Sequence, residues 1–293
     1  MKNFNILKKI YRNILRFLPD KIAVYIIYFR GYHRILNLKN PKYWGEKIQW
    51  LKLYGELEKL SKYVDKYEVR EYVSDIVGEE YLNDLYGVYN SVEEIDFEKL
   101  PNKFVLKSTN GSGTVLICKD KEKFNIENAK KEMKKWLNDD YYKEKKEPQY
   151  KNIKNRIIIE KYLENENDSL TDYKFYCFDG KPMWYGIFYD RYTDKSIDFY
   201  DENGKKMDGV NTCHIKNSNK IEAFDDKIKE MMRLSKKLSN IFTCVRVDFY
   251  CVDEKIIFGE LTFTDGAGSD PWYPINFDLE ISSKLQLKHI LKI

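Results

Sequence analysis

The chain has 293 residues, with 51 Lys+Arg against 47 Asp+Glu and 43% hydrophobic side chains. That length carries one large domain or two modest ones, and the apolar content is too high for a disordered chain. No apolar run reaches the ~20 residues of a membrane-spanning helix, no repeat recurs at fixed spacing, and a net charge of +4 does not by itself point to nucleic acid.

The charge is concentrated at one end. Residues 1–50 hold eleven Lys/Arg and two acids, Asp20 and Glu46, so they carry +9 while residues 51–293 carry −5. Lys8, Lys9, Arg12 and Arg16 interrupt any apolar core of a secretory signal. Residues 4–18 instead predict an amphipathic basic helix. Ile6, Leu7, Ile10, Ile14, Leu15 and Leu18 form one apolar stripe, and Pro19 ends it. Such a helix either packs on its own domain or attaches to an anionic membrane surface or a membrane-bound partner. Five cysteines without C-x-x-C spacing read as reduced thiols of a cytoplasmic protein, with no zinc site.

Helical spacing follows over 46–54. A clearer helix is expected over 65–77, capped by Asp65, with Glu68 at the capping-box position and Gly78 at its end. Phe104–Lys107 and Val115–Cys118 read as strands joined by a small polar loop, and 127–137 as an amphipathic helix. The charged stretch 139–155 reads as a surface connection. Arg156–Glu160 is an apolar strand. From there hairpins dominate: 172–178 returns over 182–189, a helix spans 225–239, and 242–251 turns at Val252-Asp253-Glu254 into 255–263. Strands and helices mix without strict alternation, so the fold class is α+β.

Three clusters carry chemistry. In the last hairpin Val245, Val247 and Phe249 face a core, while Arg246, Asp248 and Tyr250 share the other face with Glu260 and Thr262. Two facing carboxylates repel unless a cation lies between them, and hard oxygens suit Mg²⁺. Arg246 is placed to hold a phosphoryl oxygen, although an exposed face with Arg246 paired to either acid satisfies the same pattern. Gly111-Ser112-Gly113-Thr114 is either a plain turn or a phosphate cradle; it is not a Walker loop, because no Gly-Lys-Ser/Thr follows. Lys107, inside an apolar strand, needs an anion. Residues Glu160 to Leu163 leave their strand and either run out to solvent or present backbone groups to a nucleobase.

The order of these pieces resembles the ATP-grasp superfamily over about residues 60–270. Glu46-Lys-Ile-Gln-Trp-Leu-Lys, Asp65-Lys-Tyr, Phe104-Val-Leu-Lys, Gly111-Ser-Gly, Asp172-Tyr-Lys-Phe-Tyr-Cys-Phe and Phe258-Gly-Glu-Leu-Thr-Phe resemble its TupA-like family. That family is associated with cell-surface polymer synthesis and is often labelled glycosyltransferase. The resemblance implies an ATP-grasp fold of two α+β subdomains clamping ATP: a basic helical extension over 1–60, a first subdomain over 61–158 and a second over 159–293. It implies ATP and Mg²⁺ as cofactors. Lys66 and Lys107 would contact phosphates, Gly111, Ser112, Gly113 and Thr114 would close over them, and Glu160, Lys161, Tyr162 and Leu163 would form the adenine hinge. Asp248 and Glu260 would bind the metal. Thr262 stands where many relatives have Asn, which weakens a second metal position. Arg246, Lys174 and Arg191 are the anion contacts expected to serve catalysis.

The expected reaction is carboxylate–amine ligation through an acylphosphate, on a surface-polymer precursor. The alternatives are a glycosyltransferase, a sugar kinase and a membrane-surface adaptor with a silent ATP fold. No nucleic-acid partner is expected; peripheral membrane association through residues 1–50 is. Asp248→Asn and Glu260→Gln are each expected to abolish Mg·ATP turnover and leave the fold intact.

Overall fold

The computed structural model describes residues 2–164, 170–189, 195–288 and 290–292. It opens with α1 (Lys2–Phe17), α2 (Asp20–Tyr32) and α3 (Trp44–Tyr54). Pro19 separates the first two; it cannot continue α1, and it serves as N-cap of α2 at φ −55°. The stripe expected on α1 is divided. Leu15 is buried, and with Tyr11 and Leu18 it packs on Ala23 and Ile27 of α2, whereas Ile10 and Ile14 face outward. The side chains of residues 2–9, Ile6 and Leu7 among them, lie outside the described ones. Helix α2 rests backbone to backbone on a distant turn: a Cβ at Gly31 would lie 1.5 Å from the Ser269 carbonyl oxygen.

The short α4 (Ser61–Val64) leads to α5 (Val69–Val77). That helix begins four residues later than expected. Asp65 Oδ1 does accept from the backbone N–H groups of Tyr67 and Glu68, at 2.7 and 3.1 Å, but it caps a turn. Glu68 forms no capping box because its carboxylate is drawn to Arg156, 2.7 Å away.

Next come β1 (Leu85–Tyr89), β2 (Phe104–Ser108), β3 (Val115–Cys118), α6 (Ile126–Leu137), α7 (Tyr142–Lys145) and β4 (Ile157–Lys161). The four strands form an antiparallel sheet in the order β1-β4-β2-β3. Phe104, Leu106, Ile157 and Ile159 alternate onto one face and pack on Ala129 and Met133 of α6. The expected division at 158/159 falls inside β4, whose pairing lies wholly with this first sheet. The stretch 139–155 is not a plain surface connection. Lys146, Glu147 and Gln149 are buried; Gln149 donates to the Thr264 hydroxyl at 2.6 Å, and that hydroxyl donates to Glu147.

The remainder is β5 (Asp172–Phe178), β6 (Lys181–Tyr189), β7 (Ser196–Asp201), β8 (Asn211–Thr212), α8 (Asp226–Ser239), β9 (Cys244–Val252), β10 (Lys255–Thr262), β11 (Trp272–Tyr273) and α9 (Ile275–Lys284). A second antiparallel sheet runs β10-β9-β5-β6-β7, and β11 pairs with β8. The Asp225 side chain caps α8 by accepting from the Ile228 N–H at 2.9 Å, as its position ahead of the apolar period predicts. Ile228, Met231, Leu234 and Leu238 then enter the same core as Val245, Val247 and Phe249. The α+β reading holds. The five cysteines are free, and no helix of the described residues is long and apolar enough to cross a membrane.

Candidate active site

The last hairpin carries the densest charge. Its turn is shorter than expected, two residues instead of three, with Asp253 and Glu254 both in the left-handed region at φ +48° and +65°. A straight ladder from that turn would set Gly259 opposite Asp248 and send Glu260 to the core face. Instead the register slips by one between Phe258 and Glu260. Gly259 is the extra residue of this bulge, and its place is tight: a Cβ there would lie 3.1 Å from the Asp248 carbonyl oxygen. The slip brings Glu260 opposite Asp248, and Thr262 opposite Arg246.

Neighbouring β5 completes this face, since Lys174 pairs with Asp248 and Tyr176 with Arg246. The Arg246 guanidinium sits among the oxygens. Its Nε and Nη2 donate to the two Asp248 oxygens at 2.7 and 2.8 Å, and Nη2 also reaches Glu260 Oε1 and Thr262 Oγ1 at 3.0 Å each. Its Nη1 donates to Asp265. Lys174 Nζ lies 2.5 Å from Asp248 Oδ2 and 3.7 Å from Asp172. Burial opposes the charge on Arg246, but Asp248 and Asp265 outweigh it and hold the guanidinium well above its usual range. Burial likewise opposes the Asp248 carboxylate; Arg246 and Lys174 win, and its pKa falls below the usual value.

A metal bound here would meet hard oxygens only, which suits Mg²⁺. Among the described residues no cluster of three or more His, Cys, Asp or Glu side chains offers itself as a ready metal cage. Both Asp248 oxygens are taken by cations, whereas Glu260 is 48% exposed and uses one oxygen, Oε1, for both of its hydrogen bonds. The donor set therefore fits a hard divalent cation with Glu260 as the accessible ligand and Asp248 shared with Arg246.

Above this hairpin a cleft of ≈ 450 Å³, its open mouth included, separates the two sheets. Lys66, Lys107, Glu160 and Leu163 line one side, and Tyr250, Ile257, Phe258 and Gly259 the other. The anion that Lys107 requires is Glu160, whose Oε2 lies 2.6 Å from its Nζ; Arg70 stands 3.5 Å from the other oxygen. Lys66 donates to the Gly111 carbonyl at 2.5 Å, and its backbone N–H to that of Thr109 at 3.2 Å. Desolvation dominates its ammonium and pulls its pKa down to about 8, with Glu260 resisting and Lys107 adding to the fall.

The loop after β2 turns through Gly111 and Gly113, both with φ near +80° as only glycine accepts freely (+81° and +82°). Tyr141 packs where a Cβ of Gly111 would go, while Gly113 meets open space. Ser112 is exposed, and the buried Thr114 hydroxyl has no hydrogen-bond partner. Beyond Glu160, the Lys161 side chain pairs outward with Asp84 at 3.2 Å and the Tyr162 ring lies beneath Lys119, so only Leu163 turns into the cleft. Arg191 lies outside the described residues. The sequence reading missed Arg70 and Asn83, which sit beyond any motif, and Asp265, three residues past the strand. It placed Tyr250 on the Asp248 face without assigning it to the cleft.

A family model described as TupA-like ATPgrasp matches residues 46–286. No curated protein matches the chain. Solved structures do. D-alanine–D-alanine ligase from Bacillus anthracis, complexed with ATP, is 13% identical at TM-score 0.38, over 82% of this chain and 69% of that one. L-amino acid ligase from Bacillus licheniformis is 12% identical at TM-score 0.47, over 94% and 64%. The ATP-grasp ligase PsnB, complexed with minimal precursor, is 11% identical at TM-score 0.41, over 81% and 67%. The chain thus spans about two thirds of the length of each.

Proposed function

Because the chain belongs to the TupA-like ATP-grasp family, we propose that it is an ATP- and Mg²⁺-dependent carboxylate–amine ligase acting on a precursor of a cell-surface polymer. One observation carries the reading. The cleft brings two lysines, Lys66 and Lys107, to the edge of a hairpin whose bulge turns Glu260 toward Asp248.

In this reading Lys66 and Lys107 hold the phosphates, and the N–H groups of Gly111 to Thr114 close over them. The orphaned Thr114 hydroxyl is a donor with nothing yet to donate to. Glu160 to Leu163 forms the adenine hinge, with Lys161 and Tyr162 contributing backbone rather than side chain. Glu260, Asp248 and Thr262 would hold the metal, which would screen charge between the nucleotide's phosphates and the carboxylates. A substrate carboxylate oxygen attacks the γ-phosphorus, the bond to the β-γ bridging oxygen breaks, and ADP leaves. The amine lone pair then attacks the acyl carbon, phosphate departs with the C–O bonding pair, and the surplus ammonium proton is lost to water. Arg246 and Lys174, with Arg191 as a third anion contact, stabilise charge on the transferring group.

The test follows ADP and phosphate together, with uronic-acid or amino-acid acceptors and amines. Phosphate release that requires the amine supports ligation. ADP release with a stable phosphorylated product would make the protein a kinase. Inertness toward ATP with turnover of a sugar nucleotide would make it a glycosyltransferase and overturn the proposal.

A further inference from the structure

Helices α1 and α2 form an antiparallel pair that buries one side and leaves the other unpartnered. On α1 the residues Ile10, Ile14 and Phe17, spaced i, i+4, i+7, are 49%, 52% and 89% exposed. On α2 the residues Ile22, Tyr25, Ile26 and Phe29, spaced i, i+3, i+4, i+7, are 51%, 39%, 36% and 56% exposed. Opposite these stripes the helices are anchored: Arg16 of α1 pairs with Asp139 and Glu144, and Val24, Tyr28 and Gly31 of α2 lie against the body. At about 100° per residue both stripes point away from the body, so they merge into one apolar platform.

The charge that these helices themselves carry is nearly all of one sign. Asp20 is the one acid in residues 1–45, and it is spent on Tyr142 and on Lys146, 3.4 Å away. Lys21, Arg30, Arg34 and Lys39 are exposed. A second copy of the chain would bring like charges together across such a face. We propose that this platform docks on an anionic lipid surface, with Phe17 and Phe29 as the deepest side chains and the basic rim facing the headgroups. Docking needs neither ATP nor catalysis, so its failure and that of the ligase reading are separable.

The full chain is sedimented with vesicles of phosphatidylcholine and phosphatidylglycerol in equal parts, and with phosphatidylcholine alone. Binding to the mixed vesicles only, falling about tenfold or more between low salt and ~0.5 M, is expected. Phe17→Ser with Phe29→Ser is expected to weaken it by at least about tenfold, and Lys21→Glu with Lys39→Glu similarly, with an unchanged unfolding midpoint. Absence of binding to mixed vesicles, or equal binding to neutral ones, overturns the proposal. So does a concentration-dependent dimer that the Phe variants dissolve, because the platform then belongs to a second copy.

Discussion

Asp248 and Glu260 face each other across two strands, yet their surroundings assign them different work. Asp248 is 3% exposed and holds two cations, so Asp248→Asn removes the counter-charge from a buried Arg246 and Lys174. Loss of turnover should come with about 3 kcal/mol of stability, read by denaturant unfolding. This departs from the expectation of an intact fold. Glu260→Gln should cost at least about a hundredfold in turnover and less than about 1 kcal/mol, because its ion pair is half exposed. Lys66 supplies a second contrast. Its depressed pKa of about 8 leaves it half protonated near pH 8 before nucleotide arrives. Triphosphate beside it favours the charged form, so ATP binding should take up about half a proton at pH 8 and weaken as pH rises above that value. Calorimetry in buffers of different ionisation enthalpy measures the uptake, and Lys66→Met should abolish it. Asp248 and Glu260 were legible because each polar side chain interrupts an apolar strand, whereas Lys66, in the turn between α4 and α5, was marked only by the resemblance. Asp265 was not legible, since it follows the last paired residue and no period marks it.

At the scale of elements, the bulge decides the chemistry of the hairpin. Alternation in 245–250 and 256–262 made both strands legible, but not their register. Register depends on the turn, and two non-glycine residues with positive φ gave its place but not its length. The short turn and the slip at Gly259 each move the register by one residue in the same direction: a straight ladder from a 252–254 turn would set Phe258 opposite Asp248, and the two shifts together set Glu260 there. A counter-intuitive result follows. Deleting Gly259 straightens β10 but leaves Glu260 facing Asp248, and Mg²⁺-dependent turnover should survive. Gly259→Val presses on the Asp248 carbonyl and should lose turnover about tenfold or more. Steady-state assays of the two purified variants decide the point, and equal loss in both would show that local twist matters more than pairing. The 139–155 stretch failed for a related reason. Its charge looked like solvent exposure, whereas Lys146 and Glu147 are buried against partners far away in sequence, Asp20 and Thr264.

Across the whole molecule the two sheets and the cleft between them follow the order of motifs along the chain, while the packing of the N-terminal helices does not. The apolar residues of α1 were read as one stripe; packing divides them between an inner seam with Leu15 and Leu18 and an outer face with Ile10 and Ile14, a choice made by contacts that periodicity cannot show. Helix α3, which packs against α2, reaches the turn beside the charged hairpin. Lys52 of α3, buried with its pKa lowered to about 8 by desolvation, donates to the Ala267 carbonyl at 2.6 Å, and Gln49 donates to Ala267 and Gly268. The same turn starts at Asp265, the partner of Arg246. Unfolded Lys52 regains its ordinary pKa near 10.4, so stability should rise with pH between about 8 and 10, where the unfolded chain binds the extra proton. Thermal melts across that window test the sign, and Lys52→Met should flatten the slope.

The absence of a side chain at residue 31 has a practical consequence. Helix α2 touches the 265–269 turn through bare backbone, at a separation no other residue permits. Gly31→Ala should therefore cost about 3 kcal/mol, although it alters nothing that the family model covers. A fragment trimmed to residues 46–286 would lack that wall, together with the Tyr32 hydroxyl that donates to Asp278 at 2.7 Å. The limits of a family's likeness and the limits of the unit that folds are different boundaries in this chain, and expression trials should be designed around the second.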